Sequence, residues 1–257
     1  MDRLNRGIIK VDGEDSLNYL QALITNDVKK IANNESCYSL ILTPQGKYLF
    51  DFFLYKINQE EFLIDCNLGK VSELISKLEL YKLRSKVNIT NLSDTFMVVF
   101  GEEGEGYKFI DPRSASLGMR SIIKNDNRPI FEDNYHTHRM GLNTIIPEGE
   151  LDLEQNKSFP LEWGLELLNA ISFDKGCYVG QEVIARTKYR GVVRKQPMKV
   201  TASVDLPPKD TEIYAGESKI GVMASSFGKV GIALIRVEDY LANKNNEFKA
   251  GDIKVIL

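Results

Sequence analysis

The chain of 257 residues predicts an α+β fold followed by a small antiparallel β-barrel. Three observations lead there. Its first part mixes β-branched apolar runs with amphipathic helical stretches. Between residues 38 and 66 the runs are separated by short turns, so they form an antiparallel meander rather than parallel crossovers. Past Lys195 the helical periodicity stops, and short apolar runs alternate with glycine and proline turns. A chain of this length exceeds the usual single domain. The boundary near Lys195 divides it into residues 1–195 and 196–257.

Residues 7–11 are apolar and β-branched, and Asp12-Gly13 ends that strand. Asp15 and Ser16 open a helix whose Leu17, Leu20, Leu23 and Ile24 share one face. Residues 38–42 form the next strand. Thr43-Pro44-Gln45-Gly46-Lys47 reverses the chain. Residues 48–57 and 62–66 complete the meander. Leu68, Val71, Leu74, Ile75 and Leu78 have helical spacing over residues 68–80. Further strands are predicted at 87–90, 96–100 and 119–123, and a helix at 131–142. In the tail, residues 198–200, 220–224, 230–237 and 253–257 are the strands, spaced by turns that include Pro207-Pro208. There is no internal repeat and no low-complexity segment.

The net charge is -3, so no broad basic field points to nucleic acid. A local strip, Arg186, Lys188, Arg190, Arg194, Lys195 and Lys199, reads as a solvated face. Cysteines at 37, 66 and 177 show no paired spacing, which suits a reducing compartment. No apolar run reaches bilayer length, and the first residues lack the apolar centre of a signal peptide. A soluble chain in the cytoplasm, without a membrane partner, is expected.

Residues 101–106 bring three glutamates to a glycine-rich loop. They would repel a phosphate, so a surface hairpin turn is expected. His136 and His138 would not share a helix face and have no ligand cluster beside them, so no metal is assigned. Cys37 and Cys66 lie in apolar strands and read as core.

Cys177 differs. Gly176 and Gly180 frame it, Lys175 precedes it, and Gln181 and Glu182 begin a helix that carries Arg186. The partial positive charge of a helix start and a nearby lysine both favour a thiolate, the form that attacks electrophiles and binds metals. A buried cysteine at a tight turn is the alternative, and composition alone does not separate the two.

Lys175-Gly176-Cys177-Tyr178-Val179-Gly180-Gln181-Glu182, with Ala185-Arg186 and Tyr189-Arg190-Gly191, resembles the signature of the YgfZ family. These are folate-binding proteins related to the aminomethyltransferase of the glycine cleavage system. The likeness continues in order through Val11–Asp15, Thr25-Asn26-Asp27-Val28, Leu42–Lys47 with Asp51, Tyr81–Val87, Asp111-Pro112-Arg113 and Phe159–Glu162. Gly221–Ser225 and Gly231–Arg236 extend it into the tail.

This resemblance implies two interleaved α+β units of the aminomethyltransferase folate-binding fold plus a C-terminal antiparallel β-barrel, around a cleft for tetrahydrofolate or a one-carbon derivative. It implies a role in assembly or repair of iron–sulfur enzymes, including radical enzymes that modify tRNA. The partners would be assembly proteins and client enzymes, with no direct contact to nucleic acid. Cys177 and Lys175 would be the chemical residues, with Tyr178, Gln181, Glu182 and Arg186 around them. Tyr135, four residues before Arg139, would stack on the folate, with Asp51 also in the cofactor site. Cys177 could hold a transient iron–sulfur cluster, which usually needs four thiolates and so would be shared. The related aminomethyltransferases carry paired aspartates where this chain has Phe50-Asp51, which counts against aminomethyl transfer and against a conventional enzyme. A folate-dependent one-carbon transferase using Asp51 as acid/base group stays as the alternative.

Overall fold

The structure, a computed structural model, describes residues 1–257. Strand β1 (Arg6–Asp12) leads into helix α1 (Ser16–Leu23), and β2 (Glu35–Leu42), β3 (Tyr48–Lys56) and β4 (Glu61–Asn67) form the meander. Helix α2 (Val71–Lys82) and strand β5 (Asn88–Asn91) follow. These strands make one antiparallel sheet in the order β2-β3-β4-β1-β5. A second, three-stranded sheet comprises β6 (Phe96–Phe100), β7 (Gly106–Ile110) and β8 (Met119–Lys124). Helices α3 (Asp133–Gly141), α4 (Gly149–Asp152) and α5 (Gln181–Arg190) lie between this sheet and the barrel in sequence.

The first sheet is covered on both faces, which is why its strands read as continuous apolar runs instead of alternating ones. All nine positions of β3 are buried. Phe50, Phe52 and Leu54 join Leu20, Leu74 and Leu78 of α1 and α2 in one core. Phe53 and Tyr55, pointing the other way, join Val98, Phe109 and Ile122 of the second sheet, and Ala224 and Ile232 of the barrel, in another. The two faces of a single strand therefore tie the α+β units together and dock the barrel.

That barrel contains β9 (Lys195–Thr201), β10 (Glu212–Ala215), β11 (Ser218–Phe227), β12 (Val230–Arg236), α6 (Val237–Asn243), β13 (Phe248–Ala250) and β14 (Ile253–Val255). Its six strands run in the order β14-β13-β10-β11-β12-β9, and Thr201 bridges Ile256 to bring the two ends together. Closure of this kind removes free sheet edges.

Three local expectations change. Residues 101–106 do not close a hairpin: β6 and β7 both pair with β8, so the loop passes over an end of that sheet. Strands β7, β10 and β13 are too short or too polar to stand out in the sequence. The run predicted as strand to residue 237 ends at Arg236, where α6 begins.

Candidate functional site

The Cys177 loop is assembled from segments far apart in sequence. Gly180 holds φ +85° at the start of α5, and a Cβ there would lie 2.6 Å from the Thr43 carbonyl oxygen. Gly46, at φ +72°, meets Val183 of α5 in the same way. Only glycine combines such a φ with so close an approach. The β2–β3 turn is thereby pressed against the cysteine motif.

Lys175 supplies the second anchor. Its ammonium donates to the carbonyl oxygens of Gln21, Ile24 and Asn26, each at 2.7 Å. These lie at and just beyond the C-terminal end of α1, where carbonyls lack helical partners and a cation is favoured. Burial pulls the pKa of Lys175 down to about 8, against the opposing pull of Asp27. The expectation that Lys175 serves the thiol is corrected here. All three of its protons are committed to α1, so it fixes the loop and does not act as a chemical group.

Thr25 and Asn26 complete the attachment. Thr25 Oγ1 donates to the Ala170 carbonyl, and Asn26 Nδ2 donates to the Asn169 carbonyl. Gln181 Nε2 reaches the Lys175 carbonyl at 3.4 Å. On this pinned backbone Cys177 is exposed, while Cys37 and Cys66 are buried. Burial pushes both buried thiols up to about 12. Tyr178 points inward with its phenol raised to about 12 by burial and its hydroxyl without a partner. It supports the loop from below and does not face a ligand with the thiol. Glu182 and Arg186 are exposed on α5 and form no hydrogen bond or ion pair.

The other expected residues lie in the interior. Asp51 accepts from Tyr38 (2.9 Å) and Tyr48 (2.8 Å), and Gly149 packs so closely that a Cβ there would sit 1.8 Å from its Oδ1. Both carboxylate oxygens are occupied and covered. No acid/base group stands free there, which removes the structural support for the one-carbon transferase alternative. Tyr135 is 3% exposed, its ring edge-on to Phe100. Its hydroxyl joins Glu148 and accepts from Arg113 at 2.9 Å. The ring has no open face for stacking, so the expected folate platform at Tyr135 is corrected to a buried network member.

That network was not foreseen. Arg113 forks onto Asp111 (2.7 and 3.0 Å) and reaches Glu148 at 2.6 Å. Asp65 is held by Arg6 at 2.5 Å and Arg120 at 2.8 Å. The guanidiniums of Arg120 and Arg113 lie 4.2 and 4.8 Å from the centre of the Phe53 ring. Burial alone would raise Glu148 and Asp65, but the facing arginines overcome it and hold both carboxyls below their ordinary range. The only signal in the sequence was Asp111-Pro112-Arg113, whose partners lie in other elements.

Arg139 bonds the Ile146 carbonyl at 2.7 Å and Ser225 of the barrel at 3.2 Å. Its Nε has no partner, and neither does Nδ1 of His136. Both residues line a cavity of about 460 Å³ between α3, α4 and β11, together with Glu150, Lys209 and Phe227. A ligand of cofactor size needs a cavity of this order with a few converging polar groups. No group of three or more His, Cys, Asp or Glu side chains is arranged to hold a metal ion.

Two family models match the chain: the GCVT N-terminal domain over residues 1–100, and the CAF17 C-terminal beta-barrel domain over residues 194–257. The crystal structure of the glycine cleavage system aminomethyltransferase T from Bartonella henselae superposes with a TM-score of 0.74 at 16% identity, covering 99% of this chain and 83% of that one. At that identity the likeness establishes the fold.

Curated relatives are named iron-sulfur cluster assembly factor IBA57 or its homologue, mitochondrial. The Pyricularia oryzae protein is 30% identical, covering 91% of this chain and 70% of that protein. The human one is 29% identical over 90% of this chain and 75% of its own length. The Mycosarcoma maydis relative is 33% identical over 75% of this chain, and the match spans about half (54%) of that longer protein. Their mitochondrial names overturn the cytoplasmic expectation, which rested on the first residues alone. The resemblance to YgfZ narrows likewise, since the relatives found carry a different name within the same group of folds. The chain belongs to the IBA57 family of iron–sulfur cluster assembly factors.

Proposed function

We propose that the chain is a tetrahydrofolate-binding accessory protein for assembly or repair of iron–sulfur enzymes, with Cys177 as its working thiol. One observation carries the reading: the only exposed thiol of the chain sits on a loop whose backbone is fixed by Lys175 and two glycines. A thiolate must reach solvent to ligate iron or attack sulfur, and the two buried thiols resist ionisation. One thiolate is one ligand. A cluster held there would take its remaining ligands from a partner protein or a second subunit.

Folate fits the 460 Å³ cavity better than the Tyr135–Asp51 region. Arg139 and His136 each keep an unpartnered nitrogen there and would hold the polar groups of the ligand. Bound folate would supply one-carbon or redox chemistry, while Arg139 and His136 bind and orient it. The clients include, on this reading, radical enzymes that modify tRNA, reached through assembly partners and without direct contact to nucleic acid.

Calorimetric titration with tetrahydrofolate tests the cavity. His136→Gln and Arg139→Gln should each weaken binding several-fold, while Cys177→Ala should bind as the parent chain does. Equal binding by His136→Gln and Arg139→Gln would remove folate from this cavity.

A further inference from the structure

The chain has eleven arginines. Seven are bonded: Arg6, Arg113, Arg120, Arg128, Arg139 and Arg236 to carboxylates, and Arg3 to a backbone carbonyl. The four without any bond are Arg84, Arg186, Arg190 and Arg194, and all four are exposed. They are not scattered. Arg186 and Arg190 lie one helical turn apart on α5, and Arg194 follows directly. Arg84 lines a surface groove of about 780 Å³ that also contains Val179, two residues from Cys177.

The most exposed large apolar side chains gather in the same region. Leu83, 88% exposed, sits beside Arg84 in that groove with φ +49°, a conformation a branched side chain adopts only under constraint. At the other end of α5, Tyr189, Val192 and Leu167 are 70%, 75% and 79% exposed. Lys188 ties α5 to Glu166, beside Leu167, at 2.7 Å. Arginine and tyrosine interleaved with open apolar groups is the composition of protein interfaces. The strip read from sequence as a merely solvated face therefore has a different character.

We infer that the band along α5, from the Leu83–Arg84 groove past Cys177 to Val192, is the docking surface for an acidic protein that carries a thiolate-ligated iron–sulfur cluster. Charge complementarity fixes the occupant. Four unpaired guanidiniums on a chain of net charge -3 select a locally anionic partner. A cluster ligated by cysteine thiolates is itself anionic and would be drawn to this side. A second copy of the chain is disfavoured, because a two-fold contact would set these arginines against each other. A polynucleotide is disfavoured by the overall negative charge and by the apolar groups between the arginines. The identity of the cargo rests on the reading of Cys177 given above; the docking surface itself does not.

The test is calorimetry of the full chain with an acidic [2Fe–2S] ferredoxin as probe, at low and moderate salt. The triple variant Arg186→Gln/Arg190→Gln/Arg194→Gln should weaken binding at least ten-fold and flatten its salt dependence. Leu83→Ser should weaken it several-fold. Lys229→Gln/Lys244→Gln, on the barrel, should bind as the parent chain does, and circular dichroism should find every variant folded. Absence of binding by the parent chain, or equal binding by the triple variant, overturns the proposal. Tighter binding of tRNA through the same arginines overturns it as well. Cys177→Ser separates the two readings: it should dock normally but lose any cluster absorbance shared between the proteins. Retained sharing in Cys177→Ser would sink the role of Cys177 and leave the docking surface standing.

Discussion

The interior ionic network and the Cys177 loop both gather charged or reactive groups, and they differ in how fully those groups are satisfied. Around Asp65, Arg113 and Glu148, the carboxylates and guanidiniums face one another away from solvent. At the loop the backbone is just as firmly held, yet Cys177, Glu182 and Arg186 are open. Groups satisfied internally hold a fold together. Groups left open on a rigid support are available to a partner. The three thiols repeat the contrast, since two are shut away and one is presented.

The contrast breaks most severely at Asp65. Asp65→Asn would leave Arg6 and Arg120 buried without their counter-charge, a loss of about 3–5 kcal/mol in urea unfolding. A loss near zero would mean that the network is not structural. Acid probes the same network. Glu148 and Asp65 are held below their ordinary values in the folded chain, so the unfolded chain takes up protons first. Their contribution should be intact above about pH 4.5 and vanish as pH falls through the depressed values. Thermal unfolding across that range checks the direction.

Effects at the loop should be smaller and local. Gly180→Ala forces a Cβ against the Thr43 carbonyl and should cost roughly 1–3 kcal/mol through strain. Lys175→Met leaves three carbonyls at the end of α1 without a donor, a loss of about 1–3 kcal/mol, with faster hydrogen exchange over residues 172–180. Arg186→Gln should change stability by less than about 0.5 kcal/mol, because that side chain touches nothing the fold needs.

Sequence carried the strands, the barrel and the cysteine motif because each is encoded by neighbouring residues. It misdirected Lys175, since adjacency to Cys177 says nothing about where a long side chain points. Three carbonyls contributed some 150 residues earlier hold the ammonium instead. Tyr135 failed for the same reason, its hydroxyl being claimed by Glu148 and Arg113. The ionic network was invisible because it exists only when β1, β4, β8 and the segment before α4 meet. The α5 band was half legible: its charges were plain, but only the structure separates paired from unpaired cations.

The most direct test is the activity of client iron–sulfur enzymes in cells whose only copy of this protein is Cys177→Ala, compared with the parent chain at equal abundance. The account predicts that client activity falls to the level of cells lacking the protein, while the purified variant still folds and binds tetrahydrofolate. Unchanged client activity with Cys177→Ala would contradict it.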